Sequence, residues 1–188
     1  DDGTADITID AQQQSRIFNV DDGSSSQIVV QMDGLVLTNG SGVQGGAIRN
    51  REDLTIRNST VSNNSSAAGG GIWSKGTLVI ENSTVSNSNS NSPAIEGGGI
   101  FSDGTLVIEN STISNNSGEY GGGIFSVGTL VIENSTISNN SSQFGGGGGG
   151  IYSVGILDIE NSTISNNSSE LEQEVAFSTL ALSELWRT

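Results

Sequence analysis

Apolar residues recur along this chain at offsets of six, two and five: Ile72, Leu78, Ile80 and Val85, then Ile100, Leu106, Ile108 and Ile113, then Ile124, Leu130, Ile132 and Ile137. The flanking units repeat the pattern with Ile48, Leu54, Ile56 and Val61, and with Ile151, Leu157, Ile159 and Ile164. The Gly-Gly-x-Ile and Asn-Ser-Thr markers advance together, in steps of 24, 28, 24 and 27 residues. Gly104 to Ser117 even recurs letter for letter at Gly128 to Ser141. Self-similarity at such a period marks a solenoid. Leu78 and Ile80 alternate with Val79 and Glu81, the period of two expected of a strand with one face inward. Gly76 and the Asn-rich stretches punctuate the strands as turns. Three short strands per unit, each unit stacked on the next, predict an all-β parallel β-helix of about six coils over residues 1–168. At ~4.8 Å between stacked strands, such a rod is roughly 29 Å long.

The segment from Ser169 to Thr188 breaks the repeat. Ser169 followed by Glu172 forms a capping-box pattern, and Leu171, Val175, Leu182 and Leu185 share one helical face. A C-terminal amphipathic helix over residues 169–188 is therefore expected. It either caps the open strand edges of its own last coil or docks on a neighbouring subunit.

Every position in a β-helix becomes a column of like residues, so each column is a candidate site. Asn58, Asn82, Asn110, Asn134 and Asn161 directly follow the strand ends and predict a structural ladder of amide hydrogen bonds. Trp73, Phe101, Phe125 and Tyr152 sit beside inward isoleucines, and alternation turns them outward. With Val79, Val107 and Val131 they make an exposed apolar surface of the kind that marks an interaction site. A loop or the tail folding over the rings is the alternative. Thr60, Thr84, Thr112, Thr136 and Thr163, with Ser86, Ser114 and Ser138 two positions on, form a Thr-x-Ser face like the rows of ice-binding β-helices. Glu81, Glu109, Glu133 and Glu160 form an acidic column. The extra residues of the longer units, near "SNSNSPAIEGGG" and "SQFGGGGGG", all emerge from one corner of the coil.

Charge and residue types narrow the chemistry. The 188 residues hold 6 Lys and Arg against 21 Asp and Glu, a net charge of −15. Phosphate backbones and anionic lipid surfaces would repel such a chain, so neither nucleic acid nor a membrane surface is an expected partner. No run of 18 apolar residues offers membrane insertion, and the opening "DDGTADITID" lacks the features of a signal peptide. Without Cys, disulfides and thiolate metal sites are excluded; without His, so are Ser-His-Asp chemistry and imidazole ligands. Two carboxylates would suffice for glycoside hydrolysis. However, Asp1, Asp21 and Glu52 fall at coil edges, and no Lys or Arg gathers around an acidic cluster. No catalytic residue, metal ligand or cofactor is expected.

The run "GGGIFSVGTLVIENSTISNNSS", preceded by "SRIFNVDDGSSSQIVVQMDGLVLTNG", resembles secreted bacterial right-handed parallel β-helix repeat proteins of the choice-of-anchor type. "GGAI" at Gly45 to Ile48 is distantly similar to repeats of polymorphic outer-membrane adhesins. The resemblance covers roughly residues 4–168. It implies a right-handed coil and an extracellular or cell-surface location, and it implies no activity. The expected function is a non-enzymatic structural or adhesive surface module, self-associating end to end or laterally into fibres. A carbohydrate-binding module using the aromatic column, with polysaccharide as partner, is the alternative. A polysaccharide-degrading enzyme and an ice-binding protein stand behind it.

Overall fold

A computed structural model describes residues 7–91, 97–143, 147–169 and 177–180. Each repeat makes one coil that contributes a strand to three stacked sheets. A first sheet of seven strands runs from Ile7–Asp10 and Leu35–Thr38 through Thr60–Ser62, Thr84–Ser86, Thr112–Ser114 and Thr136–Ser138 to Thr163–Ser165. A second sheet of six short strands begins at Ser41–Gln44 and ends at Ser168–Ser169. The third sheet is the longest. Its early coils contribute two short strands each, such as Ile72–Ser74 and Thr77–Glu81, which merge into ten-residue strands at Ile100–Glu109, Ile124–Glu133 and Ile151–Glu160. Each coil thus contributes three strand segments, one to each sheet, and in the early coils the third-sheet segment is interrupted once.

Strand pairing is parallel and follows the repeat. Leu54, Leu78, Leu106, Leu130 and Leu157 stack in one column, and Ile56, Ile80, Ile108, Ile132 and Ile159 in the next. Val61, Val85, Ile113, Ile137 and Ile164 do the same from the first sheet. With Ile48, Ile72, Ile100, Ile124 and Ile151 they fill the interior, and from Ile48 to Ile151 every member of these four columns is at most 1% exposed. Leu157, Ile159 and Ile164 of the last described coil are only partly buried. The repeat tolerates steps of 24 to 28 residues because the difference in length falls between the second-sheet strand and the next third-sheet strand, so the paired columns keep their register.

Two asparagines turn each coil. Asn58, Asn82, Asn110, Asn134 and Asn161 have φ between 47° and 49°, and Asn63, Asn87, Asn115, Asn139 and Asn166 lie between 51° and 59°. Asn reaches this left-handed region at lower cost than other side chains, so it bends the backbone sharply from one sheet into the next. At the third corner close approach demands glycine. A Cβ on Gly122 would lie 2.1 Å from the Gly149 carbonyl oxygen of the next coil.

The expected C-terminal helix is corrected within the described residues. Phe177–Leu180 is a strand that adds in parallel to Ile151–Val154. The edge of the preceding coil offers a row of unpaired backbone groups, and pairing with it outweighs local helical periodicity. The rest of that expectation, including Leu171, Val175, Leu182 and Leu185, lies outside the described residues.

Candidate interaction faces

The aromatic column forms, but it is not an exposed surface. Trp73 stacks on Phe101 with ring centroids 6.0 Å apart, Phe101 on Phe125 at 5.6 Å, and Phe125 on Tyr152 at 5.0 Å. All three pairs lie within 12° of coplanar. The rings point away from the aliphatic interior, as alternation requires, yet Trp73 and Phe125 are 3% exposed and Tyr152 is 9% exposed. Phe101 alone is half-buried. Tyr120, on the segment leading into the Gly corner, packs edge-on against Tyr152 at 5.7 Å, and the Arg49 guanidinium sits 5.5 Å from the Trp73 centroid. Large rings at one strand position cover each other, and Arg49 and Tyr120 add to that cover at Trp73 and Tyr152. Val79, Val107 and Val131 stack in register as a half-buried row.

The asparagine ladder is also corrected. Asn58, Asn82, Asn110, Asn134 and Asn161 are exposed, and their role is the left-handed turn. Amide hydrogen bonding belongs to the second Asn of each Asn-Asn pair. Asn116 Nδ2 donates to Asn140 Oδ1 at 3.0 Å, and Asn140 Nδ2 donates to Asn167 Oδ1 at 3.0 Å. The backbone amides of Asn116 and Asn140 donate to the same oxygens, at 2.9 and 3.0 Å. A second ladder is built of serine. The amides of Ser59, Ser83, Ser111 and Ser135 each donate to the hydroxyl of the next coil's serine at 3.0 Å. These hydroxyls in turn donate to a carbonyl two residues back, as Ser111 does to Glu109 at 2.6 Å. The two ladders satisfy the backbone groups that the Asn turns divert from strand pairing. The signal for both was present in "NSTISNN", but the handedness of each turn decides which Asn faces inward.

On the first sheet, Thr60, Thr84, Thr112, Thr136 and Thr163 stack in one column, half-buried up to the exposed Thr163. The serine row beside it is recessed: Ser62, Ser86, Ser114 and Ser138 are each 8% exposed. Asn87 and Asn139 lean over Ser86 and Ser138, their Nδ2 atoms 3.5 Å from the hydroxyls. The double row is therefore one threonine ridge with serine beneath its edge, bounded by two columns of exposed asparagine. No charged residue lies in any of the five segments from the first turn Asn to the second, in a chain of net charge −15.

Charged groups collect elsewhere. Glu81, Glu109, Glu133 and Glu160 align, and Arg57 closes the column at one end with Nε 2.7 Å from Glu81 Oε2. Arg49 Nη1 lies 2.9 Å from Asp21 Oδ2. That bond, followed by the one from the Gly23 amide, holds the Asp21 carboxyl below its ordinary value. Burial, and then the Arg49 charge, lower the neighbouring Arg16. An open apolar hollow of about 620 Å³ lies at the first coil, lined by Phe18, Val20, Val30, Met32 and Leu35. A smaller polar one of about 390 Å³ lies between the loop at residues 23–27 and the Arg51 and Glu52 pair. Glu52 is 3% exposed, and its oxygens accept from the Asp22 and Ile28 amides at 3.3 and 3.1 Å, which makes it a loop anchor. Among the described residues no three His, Cys, Asp or Glu side chains are grouped to hold a metal ion.

A search of curated proteins finds no match to this chain, and a search of solved structures finds none either. A family model does match. It describes a right-handed β-helix region, a broad family that includes polysaccharide-active enzymes as well as non-enzymes, and it spans residues 17–179. With its coils stacked in parallel and most of its length matched, the protein belongs to the right-handed β-helix family.

Proposed function

We propose that this chain is a structural, adhesive module of an extracellular surface, a rigid rod that presents side-chain columns at fixed spacing and performs no chemistry. One observation carries this reading: the first sheet repeats the same uncharged Asn, Thr and Ser pattern over five successive coils in strict register. Catalytic sites are concave and gather unlike residues at one place. This face is the opposite, one motif repeated. Uncharged hydroxyls and amides make it suited to neutral partners, a polysaccharide or another copy of the rod among them. The buried aromatic ladder supports stiffness instead of sugar stacking, since rings covered on both faces have none to offer.

The test is retention without turnover. The chain is mixed with insoluble neutral and acidic polysaccharides, with retention and released sugar both followed, and its own association is followed by sedimentation velocity. Retention or concentration-dependent assembly, with no sugar released, is the expected outcome. Sugar release that grows with the amount of chain would overturn the non-enzymatic reading. A strictly monomeric chain retained on nothing would overturn the adhesive one.

A further inference from the structure

One interior column does not satisfy itself. Asn50, Ser74, Ser102, Ser126 and Ser153 stack in register on the inward side of the third sheet, each at most 1% exposed. Asn50 is fully engaged. Its Nδ2 lies 3.0 Å from Ser74 Oγ, 2.9 Å from the Glu52 carbonyl and 3.1 Å from the Thr77 carbonyl, and its Oδ1 accepts from the Glu52 amide at 3.0 Å. Further along, the hydroxyls of Ser102, Ser126 and Ser153 are buried and find no hydrogen-bond partner in the protein. Buried polar atoms are almost always bonded, to protein or to ordered water.

We propose that the interior of the rod binds ordered water beside this column, one molecule in the coil of Ser102 and one in the coil of Ser126. Each occupies the place that the Asn50 carboxamide takes in its own coil. Replacing Asn by Ser removes one carboxamide and leaves a hydroxyl, a loss of volume close to the ~30 Å³ that a water molecule takes up in the liquid. The groups that surround the Asn50 amide have counterparts by register. For Ser126 they are the Ser153 hydroxyl, the Gly128 carbonyl two residues on and the Ile156 carbonyl, which stands where Thr77 does. A water there accepts from the hydroxyl of its own coil's serine and donates to two of the other groups, the next coil's serine oxygen and a carbonyl, about three bonds in all, as is typical of buried water. For Ser102 the same set is Ser126, Gly104 and Thr129. The interior corner is thus hydrated and regular, while the Leu, Ile and Val columns beside it are dry aliphatic stacks. The inference is independent of what the outer faces bind.

Two variants of the whole chain give opposite signs for a hydrated and a dry corner. Ser126→Asn places a carboxamide on the water position, and its thermal midpoint is expected to stay within about 2 °C of the unaltered chain, with one ordered water fewer in a crystal structure that resolves solvent. Ser126→Ala removes a hydroxyl that bonds the water, and its midpoint is expected to fall by about 2–4 °C. The proposal is overturned if Ser126→Ala melts higher than the unaltered chain, because removing a dry, unpaired hydroxyl relieves a desolvation cost. A steep loss of stability in Ser126→Asn overturns it as well, since overpacking means that no room exists for water. So does a crystal structure that shows Ser126 Oγ bonded directly to protein.

Discussion

Asn139 and Asn140 are adjacent and chemically identical, yet the structure gives them unrelated work. Asn140 Oδ1 accepts from the amide and the Nδ2 of Asn116, at 2.9 and 3.0 Å, while its own Nδ2 donates to the Ile113 carbonyl and to Asn167 Oδ1, both at 3.0 Å. Truncation in Asn140→Ala leaves the buried Asn116 amide without its acceptor, a cost of about 1–3 kcal/mol for one unsatisfied group. Asn116 Nδ2 keeps its bond to the Val85 carbonyl, so its loss is partial. The Ile113 carbonyl and Asn167 each lose a donor, and the total comes to about 2–4 kcal/mol. For a domain of this size that lowers the thermal midpoint by roughly 4–16 °C. Asn139 is exposed at φ 56° and makes no ladder bond. Asn139→Gly therefore changes stability by no more than about 0.5 kcal/mol, because glycine accepts the same dihedral. Urea denaturation of the two variants side by side decides the matter. If Asn140→Ala costs no more than Asn139→Gly, the inner ladder does not hold the turns and the assignment of roles is wrong.

Leu106, fully buried between Leu78 and Leu130, should lose about 2–5 kcal/mol on truncation to Ala, whereas Leu157→Ala in the partly open last coil should lose clearly less; equal losses in denaturant titrations would contradict the stacked-column account. Gly122→Ala drives a Cβ to 2.1 Å from the Gly149 carbonyl oxygen and 2.4 Å from that of Ser141, so folded, soluble protein should not be recovered, which expression followed by circular dichroism checks. In a Trp186→Phe background, Trp73 should emit at short wavelength and resist acrylamide quenching, as a ring 3% exposed and stacked on Phe101 must; free quenching would mean that the ladder is open. The Asp21 carboxyl sits below its ordinary 3.8 because Arg49 and then the Gly23 amide favour its charged form. The sign follows: this contribution is fully present above the unfolded value and is lost as pH falls through the lowered folded one. Denaturation midpoints should drop below about pH 4, and Asp21→Asn should flatten that drop.

The sequence determined the architecture because a β-helix repeats one geometric decision. Offsets of six, two and five located the inward columns, and Leu54 to Leu157 and Ile48 to Ile151 stand where periodicity placed them. The lengths of the units also located the tolerant corner. The side of the strand on which a residue falls was legible, since it follows from a period of two. What covers a residue once it points outward was not. The aromatics face away from the interior as alternation requires, but Arg49, at the same strand position one coil earlier, lies over Trp73, and Tyr120, from the segment leading into the glycine corner, packs on Tyr152. Likewise, one sequence cannot tell which of two neighbouring asparagines turns the chain and which bonds inward. The left-handed dihedral at the first sends the second inside, and only stacking of complete coils makes that inward amide meet its copies. Local pattern fixed the strands and the core because burial of apolar columns is a one-dimensional demand. The faces, ladders and hydroxyl corner were decided in three dimensions, where hydrogen bonds must find partners on another coil.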